Sequence, residues 1–403
     1  MSQIKELLKP SNYGLLEFLL CFQELLQPYH HLDYPVLLLV VLLSLKRKRK
    51  PLNMNLTWIK IMMAYVIIHD VLLCLVISPV PSYHFSNIVF RIFYFVAIFI
   101  VAPAVDFKKF VTSYALITIF VLGGLLYHVL IIQMGGVVEP IKIPFLPYDG
   151  NATRLDEEGL RPVSFFCEPS NLFTYLILPL FLSLHYHKYK ITAVLILAVL
   201  LTTSTNGLMV SLIMFLTFVF TQNIGKKMKF YLVILGVAAG FAFVSLDIFS
   251  SGKEKIETTD VETTSRLING PNLVFGMPKD HLIFGYPAAS VKDYKEKTPY
   301  ISHVVLMEKY DNYFVSSFWL TIAQYGIVGL LIYLFAYYKF YRIDKSMIVI
   351  LLPLFVLKFS AGALFNYGLF IMTTYMLIVM LHDRDLKRQD ELKSNEKHRI
   401  CIN

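Results

Sequence analysis

Arg161, Glu168 and Pro169 fall in "RPVSFFCEPSNLF", residues 161–173, where a polar stretch gives way to a long apolar one. Charged side chains are costly at a membrane boundary, so the pair at this depth raises a functional question by itself. The residue before a proline is biased away from the helical region, so a helix crossing here breaks or restarts around Glu168. A broken backbone at membrane depth is tolerated where it lines a water-filled cavity. In such a cavity Arg161 is a ligand for phosphate oxygens and Glu168 a general acid/base or a group that orients a hydroxyl. Ser170 and Asn171, in the turn below Pro169, are candidate substrate contacts. The structural alternative is that Arg161 snorkels to lipid headgroups and Glu168 caps the helix that Pro169 opens.

A second polar interruption is "LLTTSTNGLM", residues 200–209, in the middle of an otherwise apolar run. Thr203, Ser204, Thr205 and Asn206 offer hydroxyl, amide and freed backbone N–H groups at a helix N-terminus, an anion site suited to phosphate. The plain alternative is a turn between two helices. The long polar stretch 250–313 supplies Arg266 in "TTSRLI", then His281, His303 and "DNYF" with Asp311 and Asn312. Arg266 and Arg161 together could clamp a diphosphate. His69, Asp70 and Arg91 lie inside apolar segments, where Asp70 pairing with Arg91 or Lys358 would fix helix packing as readily as serve a function. HExxH, GxxxxGK[ST], GxSxG and carboxylate-rich metal loops are absent, so neither metal nor cofactor is expected. "NAT" at 151–153 matches a glycosylation sequon, a pattern short enough to arise by chance. Chemistry on a phosphate-bearing substrate fits this inventory.

These residues need an apolar scaffold, and the composition supplies one. Of 403 residues 56% are hydrophobic and 16% charged, and the mean hydropathy is +0.60. The apolar residues come in long runs, which points to an all-α, polytopic membrane bundle. Clear spans are 56–78, 86–105, 110–133, 230–249 and 314–338; 163–184 is clear except for its polar entrance, and shorter or interrupted ones lie at 11–27 and 34–45. The runs 191–222 and 346–381 are too long for one helix; splitting them near "TTSTNG" and "SAGAL" gives about twelve helices, with ten to twelve plausible.

The net charge of +9 does not point to nucleic acid, because Lys and Arg cluster at the ends of apolar runs. Alternating twelve helices puts "KRKRK", "DFKK", "HKYK", "KKMK", "KFYRIDK" and the basic tail on one side. Together with two N-terminal lysines that side holds 23 of the 37 Lys and Arg. The positive-inside rule then places both termini, with a basic tail at 382–403, in the cytoplasm. The whole chain, 1–403, reads as one transmembrane domain. Its outer face carries a first loop at 134–162 and a larger one at 250–313 that caps the bundle. Cys21, Cys74, Cys167 and Cys401 form no CxxC and imply neither a disulfide framework nor a metal site. No cleavable leader is evident, so the first helix is expected to remain as an anchor.

In order along the chain, several motifs resemble those of bacterial Wzy-type O-antigen and capsular polysaccharide polymerases, relatives of the O-antigen ligases. They are Arg161 before "FFCEPSN", then "LTTSTNG", then Arg266 and "IFGYP" in a long outer loop, then "DNYFVSSFWLTIAQYGIVGLLIYL". The resemblance covers roughly residues 155–335. It departs where related proteins carry a His before the Asn of the last motif, here Asp311 before Asn312, and at the Gly-x-Gly turn, here Gly285-Tyr286-Pro287. The general base therefore stays open among Asp311, Glu168 and His303.

What the resemblance implies is a metal-independent, GT-C-like membrane glycosyltransferase in the bacterial inner membrane, its active site facing the periplasm. It would join polyprenyl-diphosphate-linked oligosaccharide repeat units, as donor and acceptor, into O-antigen or capsule. Paired arginines would stabilise the departing lipid diphosphate. Membrane lipid, a chain-length regulator and a flippase are the expected partners. The rival readings are a lipid-linked oligosaccharide flippase, a ligase, and a non-catalytic chain-length or assembly partner. A flippase would need a central path open to both sides and no long outer loop.

Overall fold

The computed structural model describes residues 13–26, 28–29, 32–52, 54–76, 82–148, 161–222, 225–231, 233–234, 236, 269–286, 315–360 and 367–402. Among these residues the chain is all-helical, without a strand. Helix α1 spans Leu15–Phe22 and tightens into a 3-10 turn at Gln23–Leu26; α2 spans Asp33–Leu45, α3 Thr57–Val76 and α4 Ser82–Val101. Then come α5 Phe107–Gln133, α6 Pro169–His185, α7 Tyr189–Leu201 and α8 Thr205–Thr221. Short α9 covers Lys279–Phe284, followed by α10 Ser317–Ile343, α11 Ile348–Ser360 and α12 Tyr367–Ile402.

Phe85–Ala104, Phe107–Gln133 and Ser317–Ile343 are long and apolar enough to cross a membrane. At 1.5 Å per residue, α5 is about 40 Å long against a hydrocarbon core of about 30 Å. Its outward stripe of Ile119, Phe120, Leu126 and Leu130 is more than half exposed at every position. A stripe of that kind suits lipid and would be an aggregation liability in water. Helix α6 is apolar on every side because it is enclosed by α5, α7, α8 and α11.

Charged loops gather at one end of the bundle, here the lower end. Glu17, buried on α1, pairs with Arg47 and accepts the Asp106 backbone N–H at 2.9 Å. Lys50 donates its N–H to Pro103 O at 2.9 Å and its Nζ to Asp385 at 2.7 Å. His185 meets Asp383 at 2.7 Å, Tyr186 OH donates to the same carboxylate at 3.0 Å, and His382 stacks on Phe107. Thus "KRKRK", "DFKK", "HKYK" and the start of the tail converge. Tyr29, whose hydroxyl accepts the Ile143 N–H at 2.8 Å, marks the opposite, upper end.

Several expected boundaries move. The 11–27 span is a short helix plus a 3-10 turn, and its two buried glutamates have internal partners: Glu17 pairs with Arg47, and Glu24 accepts from Tyr375 OH at 2.5 Å and Tyr114 OH at 3.3 Å. The 163–184 span starts as helix at Pro169, because 163–168 runs as irregular chain. The 191–222 run divides at residues 202–204, and 346–381 divides between α11 and α12. Helix α12 continues through 382–402, which the sequence assigns to a tail. The 314–338 span is one helix in extent but has non-helical backbone at Gly326. Most of 230–249 and most of 250–313 lie outside the described residues.

Candidate functional site

Helix lengths place the two polar interruptions at one depth. Helices α5 and α6 share the lower end, where the Phe107 and Tyr186 rings touch at 5.6 Å. Helix α6 is about 25 Å long, about 15 Å shorter than α5. The chain before α6 therefore tucks down along α5. Ser164 Oγ donates to Val121 O at 2.8 Å, and the Val163 and Ser164 N–H groups donate to His128 Nδ1 at 3.3 and 3.1 Å. Val121 and His128 stand about 21 and 32 Å above the lower end. Helix α7, about 20 Å long, and α8, about 25 Å, bring the 202–204 turn to a similar height. Where these segments meet, in the upper half of the bundle, the backbone is irregular rather than helical, and this region is called the recess below.

The recess keeps its backbone groups paired, as burial requires. Arg161, itself buried, donates Nε to Thr203 Oγ1 at 3.1 Å and Nη2 to Thr203 O at 2.9 Å. Ser204 caps α8 by accepting the Gly207 N–H at 3.2 Å, and its own N–H goes to Thr202 Oγ1 at 3.3 Å. Thr203 and Ser164 both hold left-handed backbone, φ 54° each. Such a conformation costs about 1–2 kcal/mol for a residue with a side chain. Arg161 on the Thr203 carbonyl, and His128 with Val121 on Ser164, hold the two in place. A side chain at Gly124 would collide with Ser164, and one at Gly207 would crowd Phe173. These two glycines let the entrance and α8 close on their neighbours.

Glu168 is the N-cap residue of α6 with Pro169 in the first turn, as the proline rule predicts. Its side chain does not cap the helix; Oε2 accepts from Ser170 Oγ at 3.0 Å. Tyr148 reaches the Cys167 thiol at 3.8 Å, and burial, then the neighbouring Cys167, pushes its phenol well above the usual range. Asn171 is exposed and Asn206 half-buried; the side chain of Thr205 is outside the described residues. Arg266, His303, Asp311 and Asn312 also lie outside them. No cluster of three or more His, Cys, Asp or Glu that could hold a metal occurs among the described residues.

His281 is elsewhere. It lies on α9, 3.8 Å from Asp280, with its ring 4.7 Å from that of Tyr286, and α9 rests on α10. There His69, Asp70 and Arg91 form a second constellation. Arg91 bonds both Asp70 and Tyr325 OH, and Tyr325 OH donates to Asp70 Oδ1 at 3.0 Å. The pairing alternative for Asp70 is therefore the one realised with Arg91; the Lys358 side chain is outside the described residues.

Beside this cluster α10 is interrupted at Gly326 (φ 68°, ψ 179°), and the 283–286 turn enters the gap. Tyr286 N donates to Ala323 O at 2.7 Å, Tyr65 OH to Tyr325 O at 3.0 Å, and His69 Nε2 meets Phe284 O at 2.7 Å. Gly285 (φ 84°) and Gly326 pass so closely that a Cβ on either would strike the backbone of the other segment. Sequence reading missed this joint and the part played by His128. The glycines of "FGYP" and "YGIVGL" were the available signal for the joint; nothing local marks His128.

No known protein family, curated protein or solved structure matches this chain, so its function is argued from the site itself.

Proposed function

We propose that the chain is a multi-pass membrane glycosyltransferase that polymerises polyprenyl-diphosphate-linked oligosaccharide repeat units into a surface polysaccharide. In this reading about twelve helices cross the bacterial inner membrane, both termini are cytoplasmic, and the recess opens to the periplasm. The observation that carries it is the Arg161–Thr203 contact, which joins the two polar interruptions far from the end where the basic loops gather. A guanidinium fixed in orientation beside a hydroxyl-rich helix N-terminus is a fitting environment for a diphosphate.

The donor's diphosphate would lie against Arg161 and the Ser204 end of α8, with Arg266 as the second cation. The acceptor hydroxyl attacks the anomeric carbon of the donor, the bond from that carbon to the diphosphate oxygen breaks, and the hydroxyl proton passes to the base. Glu168, Asp311 and His303 remain the choices for that base. The arginines would stabilise the charge that develops on the leaving diphosphate. Recessed walls would limit hydrolysis by water.

One observation favours the flippase reading: α10 is a broken helix beside an intramembrane Asp–Arg pair, a transporter device. Yet the 283–286 backbone fills that break and satisfies its carbonyls, so the break lines no open path among the described residues. The deciding experiment incubates purified protein with synthetic polyprenyl-diphosphate repeat unit, with and without chelator. A chelator-insensitive ladder of products is expected. Movement of lipid between leaflets without new glycosidic bonds would establish the flippase instead, and, in a parallel reaction supplied with lipid A core, transfer only to that acceptor would establish the ligase.

A further inference from the structure

A furrow of about 330 Å³ runs between the lower parts of α10 and α11 and the facing side of α12. Its walls include Tyr337 and Tyr341 of α10, Leu352 and Phe355 of α11, and Leu369 and Met372 of α12, and they are overwhelmingly apolar. Helix α12 packs on α4 and α5 and reaches across to α10 at Tyr337 OH, which lies 3.1 Å from Thr373 Oγ1. The furrow follows α12 from Gly368 to Met376, about 12 Å along the helix axis. A narrow slot parallel to the helices suits a hydrocarbon chain better than a compact ligand.

The lower end of the furrow is chemically different. Tyr341 and Ile348 line it there, and the connection between them carries Arg342 and Lys345, both exposed. Arg342 donates to Tyr338 OH at 3.2 Å, and neither cation has a carboxylate partner among the described residues. The nearby Asp344 is committed to its own turn, accepting the Ser346 N–H at 3.0 Å and Ser346 Oγ at 2.7 Å. Cations at the end of α10 also suit the helix dipole. The dipole does not explain why they stand at the mouth of an apolar slot.

We propose that this furrow binds one acyl chain of an anionic glycerophospholipid, with the headgroup phosphate on Arg342 and Lys345. The charge pattern selects an amphiphile with an anionic head. A second copy of the chain docking through this face about a two-fold axis would bring the same cations toward one another. The lipid-linked donor of the proposed reaction belongs at the recess, at the other end of the bundle. The furrow site is therefore independent of that reaction and survives if the functional reading fails.

The test is native mass spectrometry of the full-length protein in mild detergent, titrated with dioleoyl phosphatidylglycerol or dioleoyl phosphatidylcholine. One phosphatidylglycerol should bind in preference to phosphatidylcholine, and added salt should shrink the difference. The double variant R342Q/K345Q, on exposed side chains, should weaken phosphatidylglycerol about twenty-five-fold at low salt, at roughly fivefold per cation, and leave phosphatidylcholine unchanged. L352W, on the half-open wall, should weaken both lipids by filling the slot. Equal binding of the two lipids by the natural protein would overturn the proposal. So would unchanged phosphatidylglycerol affinity in R342Q/K345Q, a dimer that L352W abolishes, or displacement of phosphatidylglycerol by equimolar polyprenyl phosphate.

Discussion

The recess at 161–168 and the joint at Gly326 both interrupt helical backbone inside the bundle, but they are closed by different means. At the recess, side chains close the gap: Arg161 on Thr203, His128 on the N–H groups of Val163 and Ser164, Ser204 on the start of α8. At the joint, backbone closes it, with two glycines face to face and Tyr286 N on Ala323 O. Polar side chains can exchange partners with a ligand without moving the chain, whereas a backbone plug must leave as a unit. The recess is thus built like a site, and the joint like a fastening that holds residues 269–286 against α10.

That contrast predicts the largest effect at the joint. Gly326→Ala places a Cβ against Ile283 O and forces an alanine into left-handed backbone, so it should cost more than about 4 kcal/mol. Thermal unfolding in detergent should reveal it, together with faster proteolysis in 269–286. A drop below about 1 kcal/mol would mean that the 283–286 turn does not dock there.

Removing one partner of the buried pair comes next. Asp70→Asn leaves Arg91 without its carboxylate and should cost about 3 kcal/mol. The double variant D70N/R91M should recover a good part of the loss, because the uncompensated charge is gone. A double variant no better than D70N would give the pair a role other than packing.

At the recess the order of effects should reverse, with activity more sensitive than stability. Thr203→Val deletes the hydroxyl that accepts from Arg161 Nε, leaves the carbonyl bond, and should cost about 1–2 kcal/mol of transition-state stabilisation, roughly tenfold in polymer yield. Arg161→Ala should abolish polymer. Should both variants polymerise normally while unfolding earlier, the recess would be a second fastening and its contrast with the joint would disappear.

How much of this was legible in the sequence follows from where each cause resides. Pro169 acts on the residue before it, so the start of α6 and the irregular 161–168 stretch could be read locally. The "TTSTNG" turn was legible for the same reason, since Ser204 caps its own helix. The interruption at Gly326 was not, because its cause is Gly285, forty-one positions earlier, and the glycines of either segment alone do not show that the two meet. His128 reads as one more polar residue in a long span until the 163–164 backbone arrives beside it. The resemblance to polymerases selected the two glycine motifs but could not say that they touch.

The lower end offers a way to loosen one region and spare the other. Asp383 of α12 accepts from His185 and Tyr186 at the foot of α6, the helix that carries the recess, whereas the joint rests on α3, α9 and α10. Burial pushes the Asp383 carboxyl upward, but the hydrogen bond and charge of His185, then Tyr186, outweigh it and leave the carboxyl below its usual range. A carboxyl depressed in the folded state stabilises the fold above the ordinary carboxylate range, and the contribution disappears as pH falls through the folded value. His382, stacked on Phe107, is lowered by burial, so the unfolded chain takes up that proton first once pH drops below about 6.5. Stability should therefore be level above about pH 7 and decline in two stages on acidification. His382→Phe, which keeps the ring stack, should remove the first stage, and Asp383→Asn the second at the cost of lower stability throughout. Hydrogen exchange should then rise in 163–168 before it rises in 283–286. If both segments open together at every pH, the recess and the joint belong to one cooperative unit, and their different construction has no consequence for motion.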